Sequence, residues 1–106
     1  MASGILGTQQ SLASATLTTI YTVPASTVAY LNLNIVNTNS TPVNVRVALC
    51  ATDTPTPAEY IEYNAQIGGY GILERTGIAL QATKKIVAFS DTTGVSVSVY
   101  GVEETV

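Results

Sequence analysis

Strict two-residue alternation of apolar and polar side chains runs through most of this chain, and turn residues interrupt it at short intervals. Alternation of this period is typical of half-buried β-strands. No segment of ten or more residues shows helical spacing with caps at both ends, so we expect an all-β chain. The clearest alternating positions are Leu31, Leu33 and Ile35 in residues 28–37, Val43, Val45, Val47 and Leu49 in residues 43–50, and Val95, Val97 and Val99 in residues 94–102.

Seven or eight strands are expected, packed as an antiparallel two-layer β-sandwich of the jelly-roll or immunoglobulin-like type. A short Asn/Ser/Thr/Pro turn joins residues 28–37 to residues 43–50, which predicts a hairpin. Residues 51–58 contain two prolines and are predicted to form a loop. The other predicted strands are residues 16–23, 59–63 and 84–90, with further apolar stretches between residues 67 and 80.

The first fourteen residues lie outside this alternating pattern. Residues 1–14 are uncharged, and Ile5, Leu6 and Leu12 make them more apolar than a solvated tail usually is. We therefore expect an N-terminal leader or arm that orders on a neighbouring subunit, with a disordered tail as the alternative. Residues 15–106 are expected to form a single sandwich domain, since 106 residues suffice for one domain.

The composition is poor in side chains that perform acid–base chemistry. The chain has no histidine and one cysteine, so Ser-His-Asp, Cys-His and zinc arrangements are excluded. Glu59 and Glu62 would point to opposite faces of a strand and would not converge on a substrate. We therefore expect no enzymatic activity, no catalytic residues, no metal and no cofactor. The single Cys50 cannot form an intrachain disulfide, which agrees with synthesis in a reducing cytoplasm.

The net charge is −3, and the four basic residues form no stripe that could displace phosphate counterions, which argues against nucleic-acid binding. No apolar stretch is long enough to span a bilayer, and the N-terminus lacks the features of a secretion signal, so no membrane association is expected.

Charged residues make up only 10% of the chain, whereas soluble domains usually carry about a quarter. This shortage predicts that other subunits cover part of the surface, most simply in a homo-oligomer or a larger assembly. The alternative is a monomer whose surface is formed by Thr, Ser and Asn. Tyrosine is enriched at interfaces, although tyrosines could also close the ends of the core. The predicted interface residues are Ile5, Leu6, Leu12, Tyr30, Tyr60 and Tyr100.

Residues 17–25 read Leu-Thr-Thr-Ile-Tyr-Thr-Val-Pro-Ala. This segment resembles the "TxLYTVPA" opening of a broad group of small virion proteins of tailed bacteriophages. The likeness covers nearly the whole chain after residue 14, and the order and spacing of the motifs make it more specific than any one of them. The further matching segments are residues 31–39, 43–48, 60–67, 71–80 and 95–103.

The resemblance implies a structural component of the virion, made in the host cytoplasm. A small sandwich with little charge, no catalytic residues and an N-terminal arm suits a capsid cement or decoration protein. Its expected partner is the major capsid protein, whose lattice it would bind from outside. The alternatives are a tail, collar or baseplate component or, in a different class, a carbohydrate- or receptor-binding module that uses tyrosine rings.

Overall fold

The computed structural model describes residues 2–106 as two four-stranded antiparallel sheets packed face to face. The predicted all-β sandwich is confirmed, with eight strands. Their bounds are β1 (Ser3–Ser11), β2 (Thr18–Thr22), β3 (Thr27–Asn37), β4 (Val43–Cys50), β5 (Tyr60–Ile67), β6 (Ile72–Leu80), β7 (Lys85–Ser90) and β8 (Val95–Thr105), with one 3₁₀ turn at Pro57–Glu59.

Sheet A has the strand order β1-β8-β3-β6, and sheet B has the order β2-β7-β4-β5. Consecutive strands lie in opposite sheets, except for β4 and β5, which pair with each other. This order is that of a jelly roll, the first of the two sandwich types expected from the sequence. An immunoglobulin-like domain would place its first two strands in the same sheet.

The predicted hairpin between residues 28–37 and residues 43–50 is wrong, because β3 lies in sheet A and β4 in sheet B. Both neighbours of β3 are distant in sequence, namely β8 on one side and β6 on the other. The buried side chain of Asn37 holds the crossing in place. Its Nδ2 group donates hydrogen bonds to the carbonyl oxygens of Thr41 at 2.9 Å and Gly68 at 3.0 Å. The chain therefore crosses from sheet A to sheet B in this turn-rich segment.

The core lies between the inward faces of the two sheets. The alternating valines predicted to face inward are each at most 1% exposed, namely Val45, Val47, Val97 and Val99. Leu33 and Ile35 of β3 face them from the centre of sheet A. Burial of each such side chain contributes about 1.5–3 kcal/mol to folding.

The predicted boundary after residue 14 is wrong, because the N-terminal segment forms the edge strand of sheet A. β1 pairs with β8 from Ser3 opposite Val102 to Ser11 opposite Ser96. Leu6 is only 4% exposed and the following Leu12 only 2%, so both belong to the core. This strand fills the position next to the eleven-residue β8, whose outer edge would otherwise lack a partner. Met1 of the predicted leader lies outside the described residues.

None of the helices in residues 2–106 combines the length and apolar character needed to cross a membrane.

Candidate interaction surfaces

The outer face of sheet A brings three of the predicted interface residues together. Residues that lie opposite each other on paired strands point to the same face of a sheet. Ile5 lies opposite Tyr100, which lies opposite Asn32, so these residues form one row across β1, β8 and β3. Tyr30 lies opposite Val102 in the adjacent row. We call these five residues the tyrosine face.

The tyrosine face is uncharged, and three of its five residues are exposed, while Tyr100 and Asn32 are half-buried. Ile5 is 53% exposed, and Tyr30 and Val102 are each 46% exposed. The nearest outward-facing carboxylates belong to Glu74 and Glu104, which lie in the two rows that directly flank the face, opposite Asn34 and Val28. The five residues of the face therefore offer apolar area and hydroxyl or amide groups, and the carboxylates lie at its margin, where a charge need not be fully desolvated on binding.

A shallow concavity of about 180 Å³ lies beside Tyr30, where a bulge interrupts the pairing of β3 with β6. The Gly77 N–H group donates a hydrogen bond to Asn32 Oδ1 across this gap, at 3.4 Å. On the other side of β3, Gly101 of β8 has a φ of +155°, and a Cβ atom there would overlap the carbonyl oxygen of Tyr30. Glycine therefore lets β8 approach β3 closely beneath the tyrosine face.

One polar group close to the tyrosine face has no partner within residues 2–106. The side-chain oxygen of Asn34 is buried and accepts no hydrogen bond from any described residue. Asn34 lies opposite Ser98, in the row next to Tyr100 and Asn32. A buried acceptor without a donor is costly, so Asn34 lowers the stability of sheet A at this position.

The outer face of sheet B carries a different group of side chains, centred on Arg46 of β4. The guanidinium carbon of Arg46 lies 4.3 Å from the ring centroid of Tyr63 and 4.7 Å from that of Phe89. Arg46 Nε also donates a hydrogen bond of 2.7 Å to Asn64 Oδ1. Two cation–π contacts and one hydrogen bond therefore fix the guanidinium group. We call Arg46, Tyr60, Tyr63, Asn64 and Phe89 the aromatic cluster.

An open concavity of about 530 Å³ adjoins the aromatic cluster and is lined by Pro55, Pro57, Tyr60 and Tyr63. The two tyrosine rings meet edge to face, with centroids 4.9 Å apart. Tyr60 also packs against a small buried group beneath it, formed by Ala48, Cys50 and Val87. Tyr60 is thus held in place by the residues beneath it, whereas Tyr63 is exposed and contacts Arg46 through its ring.

The loop that supplies the two prolines is held by carboxylates. Glu59 accepts hydrogen bonds from the backbone N–H groups of Thr56 at 2.8 Å and Ala51 at 3.2 Å. These two bonds hold the pKa of Glu59 below its ordinary value, so the carboxylate is charged at neutral pH. Asp53 accepts a 2.6 Å hydrogen bond from the hydroxyl of Thr19 on β2. The prolines therefore sit on an ordered segment.

Two further side chains that could react, Cys50 and Tyr21, are buried in the protein. Cys50 is buried, and burial raises the pKa of its thiol, so it is held in its unreactive protonated form. The hydroxyl of Tyr21 donates a hydrogen bond to the carboxylate of Glu103, and burial together with that carboxylate raises the pKa of Tyr21 well above its usual range. Across residues 2–106, no group of three or more His, Cys, Asp or Glu side chains is arranged to hold a metal ion.

The six residues predicted as interface separate into three places. Ile5, Tyr30 and Tyr100 share the tyrosine face, and Tyr60 belongs to the aromatic cluster on the other sheet. Leu6 and Leu12 are core residues and are not available to a partner, which corrects their assignment to an interface arm. The physical reason is that β1 adds to sheet A within the same chain, and this turns both leucines inward.

The aromatic cluster contains residues that the sequence reasoning missed, namely Arg46, Tyr63, Asn64 and Phe89. Alternation does place Arg46 on the outward side of its strand. Its contact with Phe89 follows from the pairing of β4 with β7, in which these two residues lie opposite each other. That pairing joins strands far apart in sequence, so only the jelly-roll order reveals the cluster.

Comparison of the chain with protein-family models, with curated proteins and with solved structures finds no match in any of the three.

Proposed function

We propose that this chain is a structural protein of a bacteriophage virion, a cement or decoration protein that binds the outer surface of the major capsid lattice and stabilises the head. The observation that carries this proposal is the tyrosine face, an uncharged and largely exposed surface that spans β1, β8 and β3 of sheet A. The resemblance of residues 17–103 to small virion proteins supports the same conclusion.

Tyr30 and Tyr100 give the face the properties of an interface core. A tyrosine ring supplies large, rigid contact area, and its hydroxyl can still form a hydrogen bond when the ring is covered. A stable contact buries about 800 Å² on each partner. Many weak contacts repeated over a lattice add up through avidity, so each copy needs only modest affinity.

The jelly roll is compatible with this role, since viral capsid domains and lectins both use it. Fold alone does not determine function. The choice between a capsid protein and a lectin therefore rests on the tyrosine face and on the resemblance. Self-association into a homo-oligomer on the capsid is part of the proposal. The low charge of the chain favours it, and β6 leaves one edge of sheet A free for a neighbour.

A tail, collar or baseplate component could use the same face, and the copy number in the particle separates these roles. Quantitative mass spectrometry of purified virions should give this chain in a ratio to the major capsid protein near one, or near a simple fraction of one. Only a few copies per particle would move the protein to the neck, tail or baseplate. Absence from the particle would contradict a virion role.

Tyr30→Asp is expected to abolish capsid binding while leaving the domain folded. The side chain is exposed, so the fold tolerates the change, whereas a carboxylate would be buried without a partner at the interface. The expected loss is on the order of 2–4 kcal/mol, as at other interface centres. Cosedimentation of the variant with undecorated capsids measures this loss.

The matched control is Tyr70→Asp. Tyr70 is 72% exposed but lies in the turn between β5 and β6, away from the tyrosine face. It should bind capsids like the unmodified protein. Equal binding by both variants would show that the tyrosine face is not the docking surface.

A further inference from the structure

We infer that the aromatic cluster and its adjoining concavity form a second binding site, and that its ligand is a saccharide bearing a carboxylate group. This site lies on the outer face of sheet B, whereas the tyrosine face lies on sheet A. The inference is therefore independent of the proposed capsid contact, and either can fail without the other.

The charge of Arg46 is the first reason for an acidic ligand. Arg75 forms an ion pair with Glu62 at 3.3 Å, and Lys85 forms one with Asp53 at 3.7 Å. Arg46, by contrast, has no carboxylate within ion-pair distance in the described part of the chain. Its positive charge is thus left without a partner in a protein whose net charge is negative.

The fixed geometry of Arg46 is the second reason. Tyr63 and Phe89 stack against the guanidinium group, and Asn64 accepts a hydrogen bond from Nε. The two terminal nitrogens remain to donate to a carboxylate in the bidentate manner that arginine favours. Because the side chain is already ordered, binding loses little side-chain entropy.

The concavity supplies the surface for the rest of the ligand. Its volume of about 530 Å³ falls within the usual range of small-ligand sites. Tyr60 and Tyr63 line the concavity with the ring surface that Arg46 and their mutual contact leave open, and this apolar surface with hydroxyl tips matches the apolar face and hydroxyl rim of a pyranose ring. Arg46 covers one face of the Tyr63 ring, and the same ring lines the concavity. A sugar that lies along the edge of this ring can therefore extend its carboxylate past the ring to the guanidinium group.

The test is an NMR titration of the ¹⁵N-labelled full chain with trigalacturonate and, in parallel, with the neutral trisaccharide galactotriose. Trigalacturonate should shift the resonances of Arg46, Tyr60 and Tyr63 and should bind about tenfold or more tightly than galactotriose. The Arg46→Gln variant should bind trigalacturonate no more tightly than galactotriose. Arg75→Gln removes the same charge from β6, in sheet A, and should leave the preference for trigalacturonate unchanged.

Other results would overturn the inference. Equal binding of the two trisaccharides would remove the role of Arg46, and this comparison on the unmodified protein holds even if Arg46→Gln fails to fold. If acetate shifted the same resonances as much as trigalacturonate does, the site would bind a carboxylate without recognising a sugar. Stronger binding of a carboxylate-bearing peptide, such as triglutamate, would make it a peptide site. No shift with any probe, or shifts confined to the tyrosine face, would contradict the site.

Discussion

Deletion of residues 2–14 is expected to prevent the remaining chain from folding. The deletion removes β1 and with it the buried side chains of Leu6 and Leu12. Loss of their burial costs about 1.5–3 kcal/mol each, and the cavity that they leave in the core costs more. A domain of this size has roughly 5–15 kcal/mol of net stability. Circular dichroism and the dispersion of NMR signals should report an unfolded or aggregated chain.

A matched pair of point variants separates the role of the core side chains from a general effect at the N-terminus. Leu6→Ala should lower the free energy of unfolding by about 2–5 kcal/mol, as other buried leucines do. Ile5→Ala changes the adjacent residue, which points outward and is exposed, and should cost far less. A truncated chain that still folds and shows an unchanged denaturation midpoint would restore the interpretation of this segment as a detachable arm.

The strands with unbroken alternation could be predicted closely, whereas β1 could not be recognised. Residues 43–50 match β4, and residues 28–37 differ from β3 by one position, but the predicted strand over residues 94–102 stops short of the end of β8 at Thr105. In β1, Gly4 and Gly7 both have positive φ, and the pairing with β8 shifts between Leu6 and Gln10. The bulge breaks the two-residue period, so the segment has no strand signature although it pairs with β8 on both sides of the bulge.

The sheet to which each strand belongs was predicted less well than the bounds of the strands. Short turns usually join neighbouring strands of one sheet, and this tendency predicts the hairpin that β3 and β4 do not form. In a jelly roll the same short turns carry the chain from one sheet to the other. Only long-range pairing, such as that of β3 with β8, determines which sheet a strand joins.

Because the sheet of each strand could not be predicted, the functional surfaces could be predicted only in part. Alternation places Tyr30 and Tyr100 on the outside of their strands, and the structure confirms that orientation. That both tyrosines share one face with Ile5 depends on the positions of β1 and β3 on either side of β8. The sequence therefore predicts which side chains face outward, but the jelly-roll order decides which of them act together.

Val97→Asp is expected to abolish folding, and it tests the inward register of sheet A. Val97 is 1% exposed on β8, opposite Ile35 of β3, at the centre of the core. An aspartate there would bury a charge that no basic residue of the core can neutralise, at a cost of several kcal/mol. Expression in the insoluble fraction, or loss of cooperative unfolding for any soluble material, is the expected result.

Ser98→Asp provides the control one residue farther along the same strand. Ser98 points outward, and its hydroxyl accepts a hydrogen bond from Gln9 at the surface, so a carboxylate there remains in contact with water. This variant should fold, with a change in unfolding free energy of about 1 kcal/mol or less. Because the two positions differ by one residue and carry the same new charge, only the face of the strand distinguishes them. A folded Val97→Asp beside an unfolded Ser98→Asp would mean that β8 is turned over, and the tyrosine face would then lie in the core.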